Sequence, residues 1–129
     1  MRSWLGVVFV GVLACAGLPR DATGQSPGTV QARQGAALYE QHCALCHGAD
    51  GRGGQGFPRP IWGAGHDLGK FGTAKGLHDY VLALMPFDDP AKLDNSQKLA
   101  VVAFMLERNA TLPPGTELSA ADAARVAIK

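Results

Sequence analysis

The chain has 129 residues with 12 basic and 11 acidic side chains, and its mean hydropathy is +0.02. That length holds one domain. The even charge balance offers no basic face for nucleic acid and no run of like charge that would make a tail.

The first segment reads as an export signal. Arg2 is followed by an almost wholly apolar run, Trp4 to Gly17, too short to cross a bilayer comfortably. Ala22 and Gly24 supply the small residues of a cleavage site, so removal of residues 1–24 is expected. A second route stays open, because Val12-Leu13-Ala14-Cys15 resembles a lipobox. That route would leave a lipid anchor on Cys15 and a Gly-, Pro-, Ser- and Thr-rich tether up to Thr29. Either route accounts for Cys15, so Cys43 and Cys46 remain for chemistry. The expected organisation is a signal over 1–24 and one domain over 25–129, with a core at 30–109 and a tail at 110–129. Loss of Arg2, Arg20 and Asp21 leaves ten basic and ten acidic residues. Export also permits a Cys43–Cys46 disulfide.

The expected elements are all helical. Thr29 can cap a helix from Val30 to Cys43. Ten of the 13 glycines in 25–129 then fall between Gly48 and Gly76, together with Pro58 and Pro60. No regular element survives that composition, and so long a loop is expected to wrap something other than protein. Helical period returns at Thr73, with Leu77, Tyr80, Val81 and Leu84 on one face until Pro86 ends the pattern. Asp94 and Gln97 form an Asp version of the capping box for a third helix. Its buried stripe is Leu99, Val102, Ala103 and Leu106, widened by Val101, Phe104 and Met105. Asn109 suits a left-handed residue at its end. Residues 110–129 read as an extended tail, with a short last helix opening at Ser119–Asp122. No strand pattern and no internal repeat is present.

The chemistry lies in Cys43-Ala44-Leu45-Cys46-His47. A zinc site would need a second ligand pair, and His42, His66 and His78 stand at no finger spacing. A thioredoxin-like redox pair would follow a strand and open a helix; this pair ends a helix in an all-α pattern. The third reading uses every residue of the motif. Thiols three positions apart can add to the two vinyl groups of a haem, and the histidine behind them reaches the iron. Such haem is attached after export, which agrees with the signal segment.

With these residues in place, the chain resembles the class I cytochromes c from Val30 to Asn109. The resemblance extends to Gly35 and Tyr39, which in the family pack against the C-terminal helix at places held here by Val101 and Phe104. It implies an all-α fold of three main helices and glycine-rich loops around one covalently attached haem. It also implies a methionine ligand in a Met-Pro loop, matched by Met85-Pro86. The expected cofactor-binding residues are therefore Cys43, Cys46, His47 and Met85, the last two bonding the metal. Met105 is a rival ligand that reads better as core filling, His66 one that could bind if Met85 were displaced, and His78 reads as a solvated surface residue. His42 precedes Cys43 and turns poorly toward the iron that His47 faces. The resemblance further implies that a backbone carbonyl of Phe57–Gly63 accepts from His47; Arg59 stands where the family usually has proline. Trp62 serves either as a donor near the haem propionates or as packing.

The function implied is periplasmic one-electron transfer by a protein that is not itself an enzyme. "Lys-Phe-Gly-Thr-Ala", "Met-Pro-Phe" and "Glu-Arg-Asn-Ala-Thr-Leu-Pro-Pro-Gly" look like cytochromes attached to periplasmic dehydrogenases of alcohols or sulfite. The implied partners are redox proteins: a dehydrogenase, a terminal oxidase or another cytochrome. Neither nucleic acid nor a membrane span of the processed form is expected. The alternative is a haem enzyme or gas sensor whose sixth ligand is labile. Mass spectrometry of the exported protein is expected to find Gln25 at its N-terminus; a diacylated Cys15 would establish the lipoprotein route instead.

Overall fold

The computed structural model describes residues 28–129; the expected signal segment and Cys15 lie outside the described residues. Helix α1 spans Val30–His42 and is opened by Thr29, whose hydroxyl accepts from the Ala32 amide at 3.0 Å. The Cys43 amide still donates to Tyr39 O, and a single further turn, α2 (Ala44–His47), carries the rest of the motif. Gly48, at φ +80°, ends it in a conformation that a side chain would disfavour. The glycine loop follows, containing a 3₁₀ turn at Leu68–Phe71. Helix α3 runs Ala74–Leu84, and a 3₁₀ turn at Pro90–Lys92 leads to α4, Asn95–Arg108. Both halves of the expected capping box are made. Asp94 accepts from the Gln97 amide at 2.8 Å, and the Gln97 side chain accepts from the Asp94 amide at 2.9 Å. Among the described residues there is no strand, only an isolated bridge between Thr73 and Ala127.

The core is organised where α1 crosses α4. A Cβ on Gly35 would stand 2.0 Å from the Ala100 carbonyl oxygen and 2.9 Å from Phe104 Cβ, so only glycine permits this approach. One turn further along α1, Tyr39 packs its ring 4.9 Å from Trp62 and 5.6 Å from Phe104. Its hydroxyl donates to Gly48 O at 2.7 Å, and burial pushes the phenol far above its usual range. Trp62 is buried between Tyr39, Phe104 and the backbone of Gly51, which gives it a packing role. Val101 and Met105 are buried on α4, as their places on the stripe require.

Four sequence expectations are altered by non-local contacts. Residues 110–129 fold back as a belt, with Leu112, Leu118, Ala123 and Ile128 buried in the common core. Gln31 locks the belt through both groups of its amide, donating to Leu118 O and accepting from Leu118 N, each at 2.8 Å. The belt also supplies carbonyls to the free amides opening α3. Ala74 N donates to Val126 O and Lys75 N to Ala123 O, while Thr73 Oγ1 takes Gly76 N. Ser119–Asp122 forms turns in this belt rather than a helix. The second difference is His78, expected on the surface; it is buried on α3 with Nε2 3.4 Å from Asn95 O, because α4 begins directly above it. Third, the buried face of α3 is narrower than expected. Leu77 and Val81 enter the core, whereas Tyr80 and Leu84 are left 38 % and 46 % exposed.

The fourth concerns the end of α4. Ala110, not Asn109, takes the left-handed conformation, at φ +55°. Its amide donates to Glu107 O and that of Thr111 to Leu106 O, the paired bonds of a Schellman cap. Asn109 instead uses its side chain, accepting from Gly63 N at 3.3 Å and so tying the glycine loop to α4.

Two substitutions measure these features. Gly35→Ala is expected to destabilise the protein by about 3 kcal/mol, since backbone cannot move aside as a side chain can; thermal and denaturant unfolding check it. Ala110→Gly removes the left-handed penalty at the cap and is expected to stabilise by about 0.5–1 kcal/mol, read as a rise in Tm of about 5 °C.

Candidate cofactor site

Cys43, Cys46 and His47 share one turn at the C-terminal end of α1. The amides of Cys46 and His47 donate to Cys43 O at 3.1 and 2.9 Å, which fixes the three side chains relative to one another. Both cysteines are free thiols; Cys43 is half-buried and Cys46 exposed. Burial first, and the neighbouring Cys46 second, push the Cys43 thiol up to about 11. It therefore stays protonated at neutral pH, the opposite of what a disulfide-exchange nucleophile requires. Among the described residues, no group of three or more His, Cys, Asp and Glu side chains converges as a metal cluster.

The glycine loop closes over this turn through backbone. Phe57 N donates to Cys46 O at 3.0 Å, Gly53 N to His47 O at 3.0 Å, and Ile61 N to Gly51 O at 2.8 Å. A Cβ on Gly56 would lie 2.7 Å from Cys46 Sγ, and one on Gly54 would lie 2.8 Å from Cys46 O. The loop therefore approaches Cys46 more closely than a side chain would allow.

His47 is half-buried, its ring 5.2 Å from that of Phe57. Burial lowers its pKa, which favours the neutral imidazole. Its Nδ1 is buried with no hydrogen-bond partner. The carbonyl expected from Phe57–Gly63 does not reach it: Phe57 O accepts from Gly54 N, and the Phe57 ring meets the imidazole instead. Arg59 lays its guanidinium over that ring, 5.3 Å from the centroid.

Met85 comes from a different helix. It is the residue that ends α3, half-buried, with its amide donating to Val81 O at 3.0 Å. Met85 and Cys43 both pack against the same core cluster. Beyond it Pro86 is buried and Phe87 is 84 % exposed. The rival residues are otherwise engaged: Met105 is core, His66 Nδ1 accepts from Leu68 N at 3.0 Å, and His78 faces Asn95. One residue of this region escaped the sequence reading. Lys98 is buried on α4, and its Nζ donates to Leu82 O at 2.8 Å and Pro90 O at 2.6 Å, on either side of Met85. The helical period does place it on the buried face, at i to Val101, Val102 and Met105 at i+3, i+4 and i+7, but gives no sign of the carbonyls it meets there.

An all-helical chain built around Cys-x-x-Cys-His, with a glycine loop closed over the motif, is a class I c-type cytochrome. Residues 30–105, well over half of the chain, match the family described as cytochrome c oxidase, cbb3-type, subunit III, and the chain belongs to that family. A thiosulfate dehydrogenase of Allochromatium vinosum is 32 % identical over 116 residues, spanning 81 % of this chain and 41 % of that protein. The thiosulfate dehydrogenase TsdBA of Marichromatium purpuratum superposes with a TM-score of 0.51 at 31 % identity, over 74 % of this chain and 22 % of that one. The sulfane dehydrogenase SoxCD of Paracoccus pantotrophus gives a TM-score of 0.60 at 21 % identity, over 88 % and 68 %, and shares the fold. The chain thus spans less than half the length of the thiosulfate dehydrogenases it matches.

Haem is the group this family implies, and the residues fit it. Two free thiols lie on one turn beside an imidazole whose neutral form is favoured by burial. Gly54 and Gly56 let the covering loop lie against Cys46 with backbone alone.

Proposed function

We propose that this protein is a one-electron carrier of the periplasm, in which Cys43 and Cys46 hold a single haem covalently while His47 and Met85 take the two axial positions on its iron. Residues 1–24 would direct export and 25–129 would form the working domain. The observation that carries the reading is the Cys43–His47 turn, with two free thiols and a neutral, half-buried imidazole under a glycine loop. When bound, a haem supplies a one-electron Fe(III)/Fe(II) couple.

The chain's own residues set how that couple is used. Cys43 and Cys46 anchor one edge, and the backbone bonds from Gly53 and Phe57 hold the turn that carries them. His47 offers a lone pair because burial keeps it unprotonated. Met85 offers a soft, neutral thioether, which favours the reduced state and raises the potential relative to a second imidazole. Pro86 stiffens the chain directly behind that sulfur. Were His47 and Met85 both to hold the iron, the protein would leave no coordination site open to oxygen or substrate, which is why the reading is a carrier rather than an enzyme.

The exposed Leu45, between the two cysteines, and Phe87, beside Met85, form apolar surface on which a partner can dock. The balanced charge of 25–129 makes strong electrostatic steering a minor contribution. Similarity to two thiosulfate dehydrogenases supports a dehydrogenase of reduced sulfur compounds as the electron source, with a terminal oxidase or another cytochrome as acceptor. In this reading the conversion of substrate belongs to a different domain or polypeptide.

Met85→Ala tests the assignment. In protein matured by a host that attaches haem, the variant is expected to keep its haem, lose the weak deep-red sulfur-to-iron band and show a lower potential. An unchanged band and potential would remove Met85 from the iron. Rapid peroxide turnover by the untreated protein, without that band, would favour the haem enzyme or sensor.

A further inference from the structure

Lys98 is 2 % exposed, and among the described residues no carboxylate forms an ion pair with it. A buried ammonium is costly unless its hydrogens are bonded. Its two acceptors are both backbone carbonyls, Leu82 O at 2.8 Å and Pro90 O at 2.6 Å. The first of these needs an outside donor for a reason visible in the sequence. In a continuing helix Leu82 O would receive the amide of residue 86, and residue 86 is proline, which has none. Leu82 also lies in the last turn of α3, where the helix dipole favours a cation. A methionine or leucine at position 98 would fill the space with less desolvation, yet it would leave those carbonyls without the donor they now have.

The two carbonyls flank Met85–Asp89 on both sides, so one ammonium ties the beginning and the end of that segment to α4. Two residues further along α4 is Ala100, whose carbonyl lies against Gly35 of α1. The segment bearing Met85 is thereby referenced to the same α1–α4 frame that carries Cys43–His47.

We propose that Lys98 is a positioning residue: by bridging Leu82 O and Pro90 O it holds the Met85 segment at a set distance from the Cys43–His47 turn and keeps the sixth position closed to small ligands. The inference rests on the reading of Met85 as the axial ligand. Without the bridge, Met85 spends more time away from its place, and an added ligand gains by the increase in that open fraction.

The test compares haem-loaded wild type, Lys98→Met, Met85→Ala and Ile128→Ala. Ile128 is buried in the belt at the opposite end of α3 and reports simple loss of core. Lys98→Met is expected to keep its haem and helix content, weaken the red band, lower the potential and bind imidazole about tenfold more tightly. Ile128→Ala, with a lower Tm, is expected to retain the wild-type band, potential and imidazole affinity. A Lys98→Met protein matching wild type in all three would overturn the proposal, as would equal changes in Lys98→Met and Ile128→Ala. A wild type lacking the band, or a Met85→Ala variant that keeps it, would instead refute the ligand reading, and the positioning role would fall with it. Should Lys98→Met not accumulate, Lys98→Gln, which retains a neutral donor, is judged by the same three readouts, with effects in the same direction supporting the role and wild-type values opposing it.

Discussion

The contact on which the structure depends is the crossing of α1 and α4 at Gly35. Backbone meets side chain and backbone there with no intervening Cβ, so the two helices share an unusually short separation. That separation brings Tyr39 onto Phe104 and Trp62, and Trp62 in turn covers Gly51 at the start of the glycine loop. The Cys43–His47 turn extends directly from the same helix. A wider crossing would loosen the aromatic cluster and, through it, the loop that closes over the thiols.

That loop has little side-chain volume with which to build a core, and its order comes from elsewhere. Its backbone donates into the carbonyls of Cys46 and His47, and Asn109 holds its middle, at Gly63, to α4. Glycine allows this because peptide groups can approach a cysteine sulfur more closely than a side chain would permit. The same substitution of backbone for side chain leaves the small domain short of apolar mass. A large planar apolar cofactor in the proposed place would supply that mass as well as the redox couple.

Helix α3 shows the converse arrangement, in which both ends are finished by distant residues. Its opening amides are taken by carbonyls of the belt at Ala123 and Val126, and one of its closing carbonyls by the ammonium of Lys98. Met85 stands at the closing end. A helix tied at both termini is a stiff support, and a stiff support suits a thioether that must stay within bonding distance of a metal while the metal's charge changes.

The features legible in the sequence are those whose physics is local. The Cys-x-x-Cys-His spacing, the Thr29 and Asp94 caps and the ending of α3 before Pro86 each involve groups within five residues of one another, so their types and intervals suffice. Gly35 and Tyr39 were legible through family resemblance, and the structure adds the reason, a carbonyl of Ala100 where a methyl would be. What only the tertiary structure decided are the pairings across the chain: the belt on α3, the burial of His78 beneath Asn95, the Asn109 side chain on Gly63, and Lys98 between Leu82 and Pro90. A lysine on a helix is written the same way whether it meets water or two carbonyls. Its spacing to Val101, Val102 and Met105 turns Lys98 inward, but which groups it meets there depends on where other segments bring their unpaired backbone carbonyls, and no interval along the sequence carries that information.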